Sequence, residues 1–238
     1  MSRVVFQINK LLAKRGLALK PLETPTVENL RRFFKAYPIA NIIDVGANAG
    51  QYGLELRHAG YLGKIISFEP LKEPFAKLAE RASSDPLWRC LNMALSDHDG
   101  TLNLNVSQST EFSSALTVLT DTIARDGNAQ VVCVETVTTH TLDRIWDELE
   151  HLSGETMLKI DTQGSEQAIL KGAQMSLPKV AAIQLELSAE PIYNGQPVME
   201  SMIRLLRAQG FVPYMIWPGF RDGLTQRALE YDGLFVRA

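Results

Sequence analysis

The chain has 238 residues, of which 45% are hydrophobic and 21% charged, a composition that excludes a disordered polymer and suits one α/β domain with added elements or two small domains. Its 24 basic residues against 27 acidic ones leave a net charge of -3, which disfavours nucleic acid as a partner, and no apolar run of about eighteen residues predicts a membrane span. Two cysteines, Cys90 and Cys133, make no disulfide framework, so both are expected in the core of a protein from a reducing, cytoplasmic compartment.

Charge is uneven along the chain. Residues 1–37 hold eight basic and two acidic groups, so the remainder holds 16 and 25, a net -9. Within residues 3–14, Val4, Val5, Ile8, Leu11 and Leu12 share one helical face, opposite Arg3, Gln7, Lys10 and Lys14. This pattern predicts a basic amphipathic helix, either docked on the main domain or a second subunit, as in a homodimer, or in peripheral contact with a membrane surface. Pro21 and Pro25 predict a linker, and Thr26 caps a second helix that Pro38 stops after Tyr37. These residues form an N-terminal helical extension, 1–37, ahead of a main domain, 38–238.

From there strand and helix alternate. Asn41–Gly46 reads as a strand and Gln51–His58 as a helix stopped by Gly60. Lys64–Phe68 is the next strand, Leu71–Arg81 a helix and Trp88–Leu95 a third strand. Such alternation predicts parallel strands covered by helices on both faces. Residues 97–140 break the rhythm with a strand over Thr101–Val106, a polar stretch over 107–130 and a strand over Val131–Val137, which predicts a β insertion with a long functional loop. The rhythm resumes with helix Leu142–Leu149, strand Thr156–Ile160, helix Ser165–Lys171, strand Val180–Leu187 and helix Val198–Ala208. Phe211–Trp217 and Tyr231–Val236 follow with no helix between them, which predicts an antiparallel pair closing one edge.

The chemistry is expected at the carboxyl ends of the parallel strands. The first strand runs into Asp44-Val45-Gly46-Ala47-Asn48-Ala49-Gly50, where glycines let the backbone turn sharply beside a ligand. Its spacing is not that of dinucleotide dehydrogenases, and Asn48 holds an intermediate place where asparagine tolerates positive φ. Glu69 ends the second strand, where a carboxylate accepts hydrogen bonds from ribose hydroxyls. Asn92–Asp97 follow the third strand, beside an adenine ring. Asp161 ends the strand after the insertion, on the face of Lys159, and Glu186 ends its neighbour. The two carboxylates suit a divalent cation or a general base, and the alternative for Lys159 and Asp161 is a structural ion pair. His140 is the third candidate base, while His58, His98 and His151 read as surface groups and no Cys/His cluster suits zinc.

Taken together, Asp44–Tyr52, Phe68-Glu69-Pro70, Ala94–Asp97 and Leu158–Glu166 occur in an order and spacing that resembles the FkbM family of S-adenosylmethionine-dependent methyltransferases. Thr141-Leu142-Asp143, Leu170–Ala173 and Asp232–Val236 look like the same family, so the resemblance covers about residues 40–238. It implies a Rossmann-like class I methyltransferase fold, with a seven-stranded, mostly parallel sheet and the last strand antiparallel. It also implies O-methylation of a hydroxyl on a sugar, a glycolipid or polysaccharide, or a polyketide-type molecule. Carried onto this chain, it places Asp44, Gly46, Asn48 and Gly50 at the methionine part of the cofactor, Glu69 at the ribose, Asn92, Ala94 and Ser96 at adenine, and Ser113 and Ser114 at the substrate. The catalytic base is left among Asp161, Glu186 and His140. The rival readings are a nicotinamide-dependent oxidoreductase and a non-catalytic assembly partner built on a cofactor fold.

Overall fold

The computed structural model describes residues 24–149, 152–223 and 225–238. The expected amphipathic helix over residues 3–14 and the surface reading of His151 lie outside them. Helix α1, Pro25–Ala36, starts two residues earlier than the sequence suggested. Thr24 is the cap, its hydroxyl accepting from the Val27 N–H at 3.3 Å, because Pro25 fits the first turn of a helix, where its missing N–H costs nothing. Val27, Leu30 and Phe33 form the buried stripe, and Phe33 and Tyr37 stack at 4.9 Å while both meet Tyr214. The helix therefore shares a core with the main sheet.

Strands β1 (Ile39–Val45), β2 (Lys64–Phe68) and β3 (Trp88–Leu91) alternate with α2 (Gln51–His58) and α3 (Lys72–Ala82). A second sheet contains β4 (Ala94–Leu95), β5 (Gly100–Ser107) and β6 (Val131–His140), with the short helix α4 (Thr120–Arg125) between the last two. The chain continues through α5 (Leu142–Ile145), β7 (Glu155–Ile160), α6 (Glu166–Lys171), β8 (Val180–Ser188), α7 (Met199–Ala208), β9 (Phe211–Pro218) and β10 (Glu230–Arg237).

The main sheet has seven strands in the order β3-β2-β1-β7-β8-β10-β9. Pairings among β3, β2, β1, β7 and β8 are parallel, and β10 is antiparallel to both β8 and β9. The predicted closing pair is thus present, with the final strand slotted inside the edge. Strand β1 is buried along nearly its whole length, as expected of a parallel strand covered on both faces, with Asn41 and Asp44 as its two buried polar residues. One face packs Ile43, Val45, Leu158 and Ile160 against Ile169 and Leu206. The other packs Ile42 and Met157 against Leu30, Leu56 and Leu78. Strand order reverses between β1 and β7, which opens a crevice at their carboxyl ends.

Three expectations need correction. Trp88–Leu95 is two strands in two sheets, because Asn92 turns the chain by donating its amide to the carbonyls of Glu69 and Pro70 at 2.9 and 3.0 Å. The 107–130 stretch is helical turns and α4 rather than open loop, anchored by a cluster of Val118, Ala129, Ile192 and Tyr193. Cys133 is exposed, in the solvent-facing first half of β6, and Cys90 on β3 is only half-buried, so neither is a full core residue. Among the described residues, no helix is long and apolar enough to cross a membrane.

Candidate active site

Beneath the crevice lies a buried polar chain. Trp88 Nε1 donates to Ser67 Oγ at 3.0 Å, Ser67 Oγ donates to Asp44 Oδ2 at 2.9 Å, and Lys159 Nζ lies 3.1 Å from Asp44 Oδ1. Strand register makes this possible, since Asp44 on β1 sits opposite Ser67 on β2 and Lys159 on β7. Asp44 is fully buried and Lys159 nearly so. Lys159 also reaches Asp161 at 3.5 Å and donates to the Gly46 carbonyl at 3.3 Å. The Asp44 carboxylate and its neighbour Asp161 hold the ammonium charged against the burial that opposes it.

The turn after β1 rests on this base. Gly46 has φ +79°, and a Cβ there would lie 1.8 Å from the carbonyl oxygen of Asp161. Only glycine lets the ends of β1 and β7 approach so closely. Asn48 has φ 47° and accepts the Ala49 N–H on its own side chain at 2.7 Å, the local stabilisation that makes asparagine suited to that conformation. Gly50, at φ 89°, caps α2 behind the turn and faces Leu78 and Trp88. Glu69 closes the turn from β2, accepting from the N–H groups of Asn48 at 2.7 Å and Leu71 at 2.9 Å. Burial pushes its carboxyl up to about 7 although both bonds favour the anion.

These groups line one cleft of about 380 Å³. Its walls include Gly46, Asn48, Glu69, Ala94, Ser113, Asp161 and Glu186, seven of the positions singled out in the sequence. An apolar side is made by Leu71, Met93, Leu95, Leu102 and Leu104. The structure does not bring the other candidates to the wall. Asp44 is beneath it, Gly50 behind it, and Asn92 is bound to the Glu69 and Pro70 carbonyls. Ser96 is buried, with its N–H donating to the His140 carbonyl, and Ser114 donates to the Gln163 carbonyl at 2.6 Å. His140, at the end of β6 and paired with Leu95 of β4 in the second sheet, is held 3.2 Å from Asp99 and does not line the cleft.

Gln163 lies inside the Leu158–Glu166 motif, but the sequence reading gives it no role. Its amide Nε2 donates to Asp161 Oδ1 at 3.1 Å and to Glu186 Oε2 at 2.6 Å, while Oε1 accepts from the Tyr193 hydroxyl at 2.9 Å. A hydrogen-bond donor thus stands where a cation between Asp161 and Glu186 would sit, and no group of three or more His, Cys, Asp or Glu among the described residues suits a metal. Its φ of 56° beside Gly164 was the available signal, but that backbone is not readable from residue type alone. Tyr52, Gln184 and Asp232 complete the far wall, linked by Tyr52 Oη to Gln184 at 2.7 Å and Gln184 to Asp232 at 3.2 Å. Burial and nearby Asp161 push Asp232 up to about 6.

An open α/β sheet in this strand order, with an acid-lined crevice at the switch point and a glycine turn beside Glu69, defines a methyltransferase of the class I fold. Residues 44–213 match the methyltransferase FkbM domain, and the chain belongs to that family. It is 22% identical over 171 residues to a Sinorhizobium fredii protein described as 2-O-methyltransferase NoeI, covering 69% of this chain and 70% of that one. Among solved structures it is similar in fold to a Streptococcus pneumoniae protein titled as a candidate tRNA (m1A22) methyltransferase and solved with S-adenosyl-L-methionine. That likeness has TM-score 0.52 and 12% identity, over 91% of this chain and 74% of that one.

Proposed function

We propose that this methyltransferase is S-adenosylmethionine-dependent and transfers the methyl group to a hydroxyl of a sugar, a glycolipid or polysaccharide, or a polyketide-type molecule. The observation that carries the reading is the charge of the cleft. Among the described residues, Glu55, Glu69, Glu111, Asp161, Glu186 and Asp232 line it against a single basic residue, Lys159, which is already paired with Asp44. Such a wall attracts a sulfonium and an α-ammonium and repels the pyrophosphate of a nicotinamide dinucleotide. It equally favours an uncharged or cationic acceptor over a phosphorylated one or a nucleic acid.

The residues present fit the cofactor. Glu69 has spare lone pairs for ribose hydroxyls beyond the two N–H groups it accepts, and Ala94 and Leu95 offer an apolar slot for a purine ring. Gly46 brings backbone to the cleft edge without side-chain bulk, and the Asn48 side chain is folded back onto the Ala49 N–H and Thr110. When bound, S-adenosylmethionine supplies an electrophilic methyl group. The work of this chain is then to aim the acceptor oxygen, exclude water and take the hydroxyl proton. Asp161 and Glu186, both on the wall, are the carboxylates we assign to take it, and Ser113, also on the wall, is assigned as an acceptor contact. The 2-O-methyltransferase description of the Sinorhizobium relative supports a hydroxyl acceptor.

Transfer of a radiolabelled methyl group to a panel of neutral, amino and phosphorylated sugars and polyketide alcohols tests the reading. Neutral or amino acceptors are expected to be methylated. Labelling confined to phosphorylated acceptors, or binding of NAD in place of S-adenosylmethionine, would overturn it.

A further inference from the structure

Between β7 and α6, Gln163 stands at a junction of the cleft wall. Both hydrogens of its Nε2 are donated inside the protein, one to Asp161 Oδ1 at 3.1 Å and one to Glu186 Oε2 at 2.6 Å. An amide has two donor hydrogens, so none is left for a ligand. The flipped amide would set its oxygen against two carboxylate oxygens, which repel it. The backbone does not call for glutamine either. Its φ of 56° lies in the left-handed region, which glycine or asparagine occupies at less cost. The reason for a glutamine at this place is its side chain.

Tyr193 holds that amide from behind, its hydroxyl donating to Gln163 Oε1 at 2.9 Å. Tyr193 is fully buried in the cluster with Val118, Ala129 and Ile192. Its loop is pinned to the insertion, with the Leu119 N–H donating to the Ile192 carbonyl at 2.9 Å and the Asn194 N–H to the Thr117 carbonyl at 2.8 Å. Tyr193 Oη also lies 3.0 Å from the Phe112 carbonyl oxygen, and Ser114 Oγ donates to the Gln163 carbonyl at 2.6 Å. Ser113, between Phe112 and Ser114 on the cleft wall, is thereby tied to the residue that holds the two carboxylates.

We propose that Gln163 is a positioning residue for methyl transfer: with Tyr193 behind it, it fixes the Asp161 and Glu186 carboxylates and the Ser113 contact in one geometry around the acceptor hydroxyl, and itself touches neither acceptor nor cofactor. The inference rests on the methyl-transfer reading above. The acceptor O–H must meet a carboxylate oxygen at hydrogen-bond distance while its own oxygen lies in line with the methyl carbon. As the new O–C bond forms, the O–H bond breaks, the proton passes to that carboxylate, and the C–S electron pair stays on the departing sulfur. Two carboxylates side by side repel one another and swing apart when nothing holds them. One amide donating to both offsets that repulsion and sets their separation.

The test uses the full-length protein with S-adenosylhomocysteine and, for turnover, S-adenosylmethionine with any acceptor methylated in the panel above. Gln163→Gly and Gln163→Asn both suit the left-handed backbone but cannot span the two carboxylates. Both are expected to melt within about 4 °C of the wild type and to bind S-adenosylhomocysteine within about threefold of it. Their kcat is expected to fall by about tenfold or more through lost placement, with acceptor KM changed by less than about threefold. Tyr193→Phe removes only the hydroxyl behind the amide and is expected to lower kcat in the same manner by a smaller factor. An unchanged kcat overturns the proposal. So does a KM that rises while kcat holds, which makes Gln163 an acceptor contact, or a S-adenosylhomocysteine affinity that falls with kcat, which makes it a cofactor contact.

A second readout needs no acceptor. In nitrogen-15 NMR of the protein with S-adenosylhomocysteine present, the Gln163 side-chain amide is assigned by its loss in Gln163→Gly. Its protons are expected to exchange with solvent at least about tenfold more slowly than those of exposed glutamines, and to lose much of that protection in Tyr193→Phe. Exchange at the exposed rate overturns the proposal even where no acceptor is found. If the wild type does not bind S-adenosylhomocysteine, the methyl-transfer reading fails; if it binds and the Gln163 amide exchanges freely, only the positioning role fails.

Discussion

Substituting Gly46 with Ala perturbs one contact that the whole site depends on. The added Cβ would lie 1.8 Å from the Asp161 carbonyl oxygen and 2.8 Å from its carbonyl carbon. That obstacle is backbone at the end of a central strand, so it cannot swing aside as a side-chain tip would. The tips of β1 and β7 must separate by more than about an ångström to restore an ordinary contact. Overpacking of this kind costs about 1–3 kcal/mol, and holding alanine at φ +79° adds about 1–2 kcal/mol. The sum, about 2–5 kcal/mol, lowers the melting temperature by roughly 4–20 °C at about 2–4 °C per kcal/mol for a chain of this size. Gly60→Ala is the internal control, because Gly60 has φ +89° and an added Cβ there would meet nothing within 4 Å. It carries the backbone strain alone, about 1–2 kcal/mol. Thermal and urea unfolding of both variants, with S-adenosylhomocysteine affinity measured in parallel, separates the two effects. If Gly46→Ala melts with Gly60→Ala and binds as the wild type does, the strand tips are not packed as described and the reasoning is wrong.

Asp44→Ala should cost about 3–5 kcal/mol by leaving the buried Lys159 ammonium without its nearest partner, a loss that chemical denaturation measures directly. Asn48→Gly, at φ 47°, should be tolerated within about 1 kcal/mol, whereas Asn48→Val places a β-branched residue in the left-handed region and should destabilise clearly more in the same assay. Glu69 has a folded value of about 7 against an unfolded 4.5, so the folded protein binds its proton more tightly. Its contribution to stability is full below the unfolded value and is lost as pH rises through the folded one, a change of about 3 kcal/mol. Melting temperature without ligand should therefore fall from acidic to neutral pH, and Glu69→Gln should flatten that fall. Because ribose hydroxyls donate to the anion, S-adenosylhomocysteine affinity should rise with pH across the same window in the wild type and not in Glu69→Gln.

The parallel sheet was legible because its strands are buried on both faces and read as apolar runs between helices with clear stops, as at Gln51–His58 and Gly60. The turn was legible because positive φ restricts residue type, and Gly46, Asn48 and Gly50 all adopt it. What escaped was long-range pairing. Nothing local to Trp88 or Ser67 reveals that they hold Asp44, nor does Gln163 announce that Tyr193, thirty residues on, orients its amide. The break between β3 and β4 was missed because Asn92 ends the strand through a tertiary bond to Glu69 rather than through a turn residue of its own. His140 looked eligible only because sequence does not say which sheet a strand joins.

The most direct measurement is isothermal titration of the full chain with S-adenosylhomocysteine, with S-adenosylmethionine and NAD alongside, for the wild type and Glu69→Gln. The account predicts one saturable site for both adenosyl sulfur ligands and no heat with NAD. It also predicts affinity at least about tenfold weaker in Glu69→Gln, from the loss of a charge-assisted contact. A wild-type chain that binds neither sulfur ligand, or a Glu69→Gln variant that binds them equally well, would contradict it.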